Sequence, residues 1–580
     1  MTRKIVRTLS QIGSVVLFTF VALFFLDRKL DVLPNAIHEY MPQHHVGTVL
    51  TDITVVTCNS MNPFSSCNLN DEWTRINKNL FLGKSLLSSG YIYYKKKKEE
   101  ELVEGDKVVV DVKVGRLNPA DVVNTVENDG KLFANDPQEE WEERPRGLWI
   151  KLSSKKHASD SEKAVTMVDV LFGEDAVEVR EGWSVVSGTA LFIDTPIQPY
   201  LTVRRGAHKD PPKPKLRLRE GGKFKVLQVS DLHLSTGVGA CRDAVPNDYN
   251  GDKCQADPRT LDFVSRVLDE EMPDLVVLSG DQVNGDTSPD AQTSIFKYAS
   301  LLIQRKIPYV SIFGNHDDEG SAAPRSSQMQ LIEHLPYSLS QAGNPDIPGI
   351  GNYYIEVLAQ SSDHSAITIY LLDSHSYSPE EHKYPGYDWI KPAQIEWFRE
   401  TSMSLHEKHK QYRFHHINTA FIHIPLPEYA VSGQYRVGQW WEGVTAPTFN
   451  SGFKDALVER NVVFVSCGHD HVNDYCALST DNSTGRPQGS EPLLWMCYAG
   501  GSGFGGYGGY HDYVRRVRVF DFEMGIGRVK TWKRLEWGGD GKEVDPAKVL
   551  ARRWDEQTIV DGAQLVPAPE VEKRPPEGDI

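Results

Sequence analysis

Basic residues are in deficit: 63 Lys and Arg stand against 79 Asp and Glu over 580 residues, a formal net charge of −16. That balance argues against a nucleic-acid partner, whose binding proteins normally carry a basic face, and an acidic surface otherwise serves mainly solubility. No internal repeat is visible along the chain. Cysteine is scarce and odd in number, at seven. Cys58 and Cys67 lie close together in a polar, loop-like stretch, as do Cys241 and Cys254. Both pairs could form disulfides in an oxidising compartment. Cys467 follows an apolar run and reads as a buried free thiol. The one glycosylation sequon found, Asn482-Ser483-Thr484, can arise by chance in a chain this long.

Long apolar runs are also missing, with one near exception. Arg3, Lys4 and Arg7 precede the run Ile12 to Leu26, and Asp27, Arg28 and Lys29 follow it. The run is short for a hydrocarbon core of about 30 Å, although Leu9 to Leu26 is nearly adequate. A cleaved signal peptide ends in small residues, and Leu23-Phe24-Phe25-Leu26-Asp27 has none. A single-pass signal anchor is therefore expected, in an endomembrane, with the bulk of the chain lumenal. Secretion after cleavage, or an apolar helix docked on the protein itself, are the alternatives.

At this length two folded units are expected, and 40% hydrophobic residues is ordinary for globular domains. Residues 1–44 form the anchor and stem. Residues 45–205 alternate as strands do, as in Lys107 to Val114, and predict a β-rich accessory domain. Lys95 to Lys98 followed by Glu99 to Glu101 reads as a solvated loop or strand edge. Residues 206–222, with Pro211, Pro212 and Pro214, read as a linker. From 223 to 540 apolar strand patterns alternate with helical ones: Phe224 to Val229, a helix opened by Asp257-Pro258, Leu275 to Leu278, a helix opened by Ser288-Pro289, then Tyr309 to Phe313. That order implies parallel strands joined by crossovers, an α/β class. The charged, proline-rich residues 541–580 are expected to pack poorly.

Polar clusters close five of the predicted strands: Asp231-x-His233, Gly280-Asp281, Gly314-Asn315-His316-Asp317, His423, and Gly468-His469-x-His471. Each alone has a plain explanation as a turn, a cap or packing. Together, at the strand ends where open α/β sheets bind ligands, they offer oxygen and imidazole donors without thiolate, a set suited to Mn, Fe or Zn.

This order of motifs resembles that of the calcineurin-like metallophosphoesterases over roughly Lys223 to Arg534. The resemblance implies a four-layer α/β/β/α sandwich and two divalent or trivalent metal ions. It implies Asp231, His233 and His471 as ligands of the first metal, Asn315, His423 and His469 of the second, and Asp281 as the bridge. It further implies that His316 gives a proton or hydrogen bond to the leaving oxygen, with Asp317 orienting it. The chemistry agrees. Two close cations need an anionic bridge, and together they clamp reacting oxygens and acidify a bridging water; histidine suits a proton donor near neutral pH.

Purple acid phosphatases place a tyrosine three residues after the bridging Asp, where this chain has Asn284. The segments Leu372-Asp373-Ser374-His375, His423-Ile424-Pro425-Leu426-Pro427-Glu428-Tyr429 and Asn450-Ser451-Gly452, with the glycine-rich Gly500 to Gly509, are instead similar to the fungal dosage-dependent cell-cycle regulator phosphatases. That likeness implies a phosphomonoesterase acting on phosphoserine or phosphothreonine in protein, by attack of a metal-bridging hydroxide. A phosphodiesterase of nucleotides or lipids, and a membrane-tethered binding protein on a non-catalytic scaffold, are the competing readings. His375 and Tyr507 are candidates for the substrate side, with Tyr510 in the same glycine-rich loop. The sequence does not specify an oligomeric state.

Overall fold

The computed structural model describes residues 47–566 except 60, 62–65, 86, 119–131, 134–135, 156, 187, 248–253, 431–434, 480–492, 509–512 and 539–544, together with residues 11–16, 18–19 and 21–22. The chain divides into two compact units, Met1–Asp210 and Pro211–Ile580.

The first unit is built from antiparallel strands, as the alternation predicts. Thr48–Asn59 pairs with Ser88–Lys98, and Val108–Val114 buries every other side chain over most of its length. Ile53, Val55, Ile92, Val112, Ile150 and Leu201 meet in its core. Cys58 and Cys67 are joined. The apolar run of the expected anchor is helical where it is described, at residues 11–16, 18–19 and 21–22; the rest of it lies outside the described residues. Among the described residues no helix is long and apolar enough to cross a membrane.

Two seven-stranded sheets form the second unit. In the first, β1 (Lys223–Val229), β2 (Leu275–Ser279) and β3 (Tyr309–Ile312) run parallel, in the spatial order β3-β2-β1. In the second, β4 (Tyr353–Leu358), β5 (Ser365–Leu371), β6 (Ile417–Phe421), β7 (Tyr435–Val437), β8 (Val462–Cys467), β9 (Cys476–Ser479) and β10 (Leu494–Tyr498) lie in the order β4-β5-β6-β8-β10-β9-β7. The chain then returns to the first sheet, where β11 (Arg516–Glu523) pairs antiparallel with β1, and β12 (Arg528–Leu535), β13 (Trp554–Asp561) and β14 (Gln564–Leu565) extend it.

The sheets meet face to face through Val226, Val277, Phe520, Ile369, Phe464 and Trp495. Phe464 stacks on Phe520 with ring centroids 4.1 Å apart. Phe398 and Leu405 of the helix Pro392–His409 cover the outer face of the second sheet. The helices α1 (Ala256–Glu271) and α2 (Ala291–Gln304) are the crossovers between β1, β2 and β3 and bury their apolar sides. Every residue of β2 is buried, which is why its sequence is an unbroken apolar run. The four-layer α/β arrangement is thus present.

Several expectations need correction. The two units divide at Asp210/Pro211, inside the expected linker 206–222, but its later part is packed: Leu216 and Leu218 enter the core between the sheets, and the Leu218 amide donates to the Leu358 carbonyl at 2.9 Å. Residues 541–580 do not all pack poorly. β13 pairs with β12, Ile559 and Val560 are buried, and the Trp495 indole donates to the Ile559 carbonyl at 2.9 Å. The exposed Asp555 and Glu556 beside them made this strand look solvated. Asp290, not Ser288, caps α2, its side chain accepting from the Thr293 amide; α1 starts one residue before Asp257.

Ile559→Ala should destabilise the second unit by about 2–5 kcal/mol, the usual range for emptying a buried isoleucine site. Chemical denaturation followed by tryptophan fluorescence reads the difference.

Candidate metal centre

Where β1 and β2 end, their pairing continues into the loops. The amides of Asp231, His233 and Leu234 donate to the carbonyls of Gly280, Asp281 and Gln282 at 3.0, 2.9 and 2.9 Å. This lacing brings the first two motifs side by side. It also bends them: Asp231 (φ 56°), His233 (48°) and Asp281 (53°) adopt left-handed backbone, as does His469 (76°). Each such residue costs about 1–3 kcal/mol and persists only where its surroundings hold it there. Four such residues stand together at one end of the two sheets.

Two buried ligand groups result. Asp231, His233 and His471 form one; Asp281, His423 and His469 form the other. His233 Nε2 lies 3.0 Å from His471 Nε2, which is 3.3 Å from Asp231 Oδ1. Asp281 Oδ2 stands between the groups, 3.1 Å from His423 Nε2 and 3.8 Å from His233 Nε2. Asp281 Oδ2, His423 Nε2, His469 Nε2 and both amide atoms of Asn315 are buried without a hydrogen bond. Buried polar atoms are almost always satisfied, so an orphaned set this dense fits metal ions. Imidazole tautomers agree. His423 Nδ1 meets the Ser279 carbonyl at 2.9 Å and His471 Nδ1 the Tyr507 carbonyl at 2.8 Å, which leaves each Nε2 lone pair facing inward.

The electrostatics favour the ligand forms of His233, His469 and Asp281, whereas His423 is held protonated against Asp281 until a cation displaces the proton. Burial, then His471, pushes His233 down to about 3; burial, then His423, does the same to His469. Burial would raise Asp281, but His423 outweighs it and holds the carboxyl well below its ordinary range. For His423, burial is outweighed by Asp281, and the ring rises to about 9.

His316 flanks this centre, its ring centroid 5.4 Å from that of His233. The expectation that Asp317 orients it is overturned. Both Asp317 oxygens face backbone: Oδ2 accepts from the amides of Asp281 and Gly314 at 2.9 and 2.7 Å, and Oδ1 from Val283 at 2.9 Å. Asp317 braces the β2 and β3 loops against each other, and the partner of His316 Nδ1 is Glu319. His375 joins neither ligand group; its Nε2 meets Gln394 Oε1 at 2.8 Å. Tyr507 reaches the site as a support. Its ring stacks on His471 with centroids 4.0 Å apart, and its hydroxyl accepts from the His471 amide at 3.1 Å and donates to Glu442 Oε1 at 3.0 Å. Tyr510 and the sequon at Asn482 lie outside the described residues.

Sequence reasoning missed Glu319, Glu442 and Asp257. The Asp257 carboxylate accepts from the Ser235 amide at 3.0 Å and from Lys297 Nζ at 2.8 Å, which supports the Asp231–His233 loop from behind. None of the three stands in a motif with ligand spacing. The Tyr377 and Tyr387 rings stack 5.4 Å apart, and Tyr387 stands edge-on to His469 at 4.4 Å. These tyrosines likewise went unnoticed.

A family model described as calcineurin-like phosphoesterase matches residues 224–473. The chain is 37% identical over 415 residues to "Phosphatase DCR2" of Saccharomyces cerevisiae, spanning 69% of this chain and 67% of the yeast protein. It is 30% identical over 558 residues to protein C1020.05 of Schizosaccharomyces pombe, spanning 93% and 97%. These matches decide the family. The chain is a calcineurin-like phosphoesterase. A third relative, "Probable inactive purple acid phosphatase 14" of Arabidopsis thaliana, is 38% identical over 351 residues, spanning 56% of this chain and 83% of the plant protein. As a member of this family the phosphoesterase carries the fold and the donor set of a divalent-metal hydrolase.

Gly506 has no room for a side chain: a Cβ there would stand 2.4 Å from His471 Cε1 and 2.6 Å from His233 Cδ2. Gly506→Ala should therefore push both rings off their positions. We expect affinity for Mn(II) or Zn(II) to fall about 10–100-fold, the usual effect of disturbing a ligand's supports. Competition against a chromophoric chelator measures it, and the melting temperature of the metal-free protein should move little.

Proposed function

We propose that this phosphoesterase is a dinuclear phosphomonoesterase acting on phosphoserine or phosphothreonine in protein. The observation that carries the reading is the position of Asp281: one oxygen open between two buried ligand groups, the other accepting from the amide of His316 at 2.8 Å. When bound, two cations would polarise the phosphoryl oxygens and acidify a water. The chain's own residues do the rest. Asp231, His233 and His471 would hold one ion and Asn315, His423 and His469 the other, with Asp281 shared. His316, a third exposed at the side chain, is free to meet a leaving oxygen. The protein-phosphate assignment rests on the likeness to the yeast phosphatase. The word "inactive" in the plant relative's name favours a second reading, a scaffold that binds and does not turn over.

The test takes the full chain in detergent, counts its metals by elemental analysis, and assays a phosphoserine peptide beside a bis-phosphodiester. About two metals per chain and monoester turnover are expected, lost by at least about 100-fold in Asp281→Asn and His316→Ala. Diester preference would replace monoesterase by diesterase. Two metals without turnover on either ester would favour the scaffold.

We infer also that the run Ile12 to Leu26 tethers the protein to an endomembrane with both folded units lumenal. Disulfides Cys58–Cys67, Cys241–Cys254 and Cys476–Cys497 support an oxidising compartment. Alkaline carbonate extraction of cell membranes should leave the protein in the pellet; release into the supernatant would count against the tether.

A further inference from the structure

His316 sits in a loop whose three acidic neighbours have different tasks. Asp317 is spent on backbone amides, as described above. Asp318 Oδ1 lies 3.1 Å from Arg325 Nε. Glu319 alone turns to the imidazole, and its carboxylate meets Nδ1. The loop is folded to allow this. The His316 carbonyl accepts from the amides of Gly285 and Glu319 at 2.9 and 3.3 Å. The loop lies so close to Gly285 that a Cβ there would stand 1.8 Å from the Glu319 carbonyl oxygen and 2.6 Å from that of His316. At the other end, the His316 amide is fixed on Asp281 Oδ1. Backbone and ring are thus held separately, the backbone by the shared carboxylate and the ring by Glu319. Both side chains of the pair are 33% exposed, and an ion pair that open contributes little to stability. Orientation is the task left for it.

We propose that Glu319 is the positioning residue for His316. It holds Nδ1 so that Nε2 points its proton at the leaving oxygen. This deepens the monoesterase reading and rests on it. In the reaction a water oxygen bonds to phosphorus as the ester P–O bond breaks. The leaving oxygen takes the proton from His316 Nε2, and a proton from the attacking water replaces it there.

The dependence on leaving group separates positioning of a proton donor from a structural role. Glu319→Ala should lower kcat on a phosphoserine peptide by about 10–100-fold, less than the roughly 100–10,000-fold of general acid catalysis because the acid itself stays. On 2,4-dinitrophenyl phosphate, whose leaving group needs no proton, the loss should stay below about threefold. KM and metal content should hold within about twofold. In a His316→Ala background Glu319→Ala should add nothing further. Glu319→Gln keeps an acceptor oxygen and should recover much of the loss, and it serves as the probe if the alanine variant folds poorly. Equal losses on both esters, or full additivity with His316→Ala, would overturn the assignment. Absence of turnover on either ester by the unsubstituted protein would instead overturn the monoesterase reading, and this assignment with it.

Discussion

The carboxylate of Asp281 is the constraint to which the rest of the site answers. Its main chain laces to the β1 loop, its amide is held by Asp317, one oxygen fixes the backbone of His316, and the other faces both ligand groups. A residue with so many obligations must be placed accurately, and accuracy comes from β2, buried along its whole length between neighbours on both sides. The left-handed backbone at Asp281, Asp231 and His233 persists because the lacing between the two loops and the packed sheets below leave no relaxed alternative.

Buried charge behind the centre serves the same end. Lys297 and Asp257 pair at 2.8 Å, each almost fully buried, under the Asp231–His233 loop. Arg515, also buried, donates to the carbonyls of Gly503, Gly506 and Arg242 and so pins the glycine-rich loop that carries Tyr507. Such pairs and anchors are a poor source of net stability, because desolvation offsets much of their attraction. They are a good source of fixed geometry, since any other arrangement leaves a charge or a carbonyl buried alone.

The strands of the second unit were legible because each is an apolar run ending in a polar cluster, and parallel strands buried on both faces leave that signature. The ligand residues were legible because they sit at those ends with spacings that repeat a known pattern. What stayed hidden depends on three-dimensional folding of loops. Asp317 and Glu319 are both acids near His316, and nothing in their order says which one reaches the ring. Cys476 and Cys497 lie in apolar strands with no turn composition to mark them, so their cross-strand bond between β9 and β10 went unread. β13 was hidden by exposed charges around a short buried stretch, and Leu216 and Leu218 by the prolines beside them.

The first ligand group is assembled from distant parts of the chain. Asp231 and His233 emerge early from the ribosome, and His471 follows 238 residues behind His233. β11, which flanks β1 on its other side, is later still, with Lys223 paired to Glu523. Two of this group's three ligands, and an unpaired strand edge, are therefore made well before their partners. Long-range pairing of this kind is slow to form, and an open edge invites association with other chains. The finished sheet conceals this order: the edge of β1 closes only when β11 pairs along it, from Lys223 with Glu523 to Gln228 with Arg518.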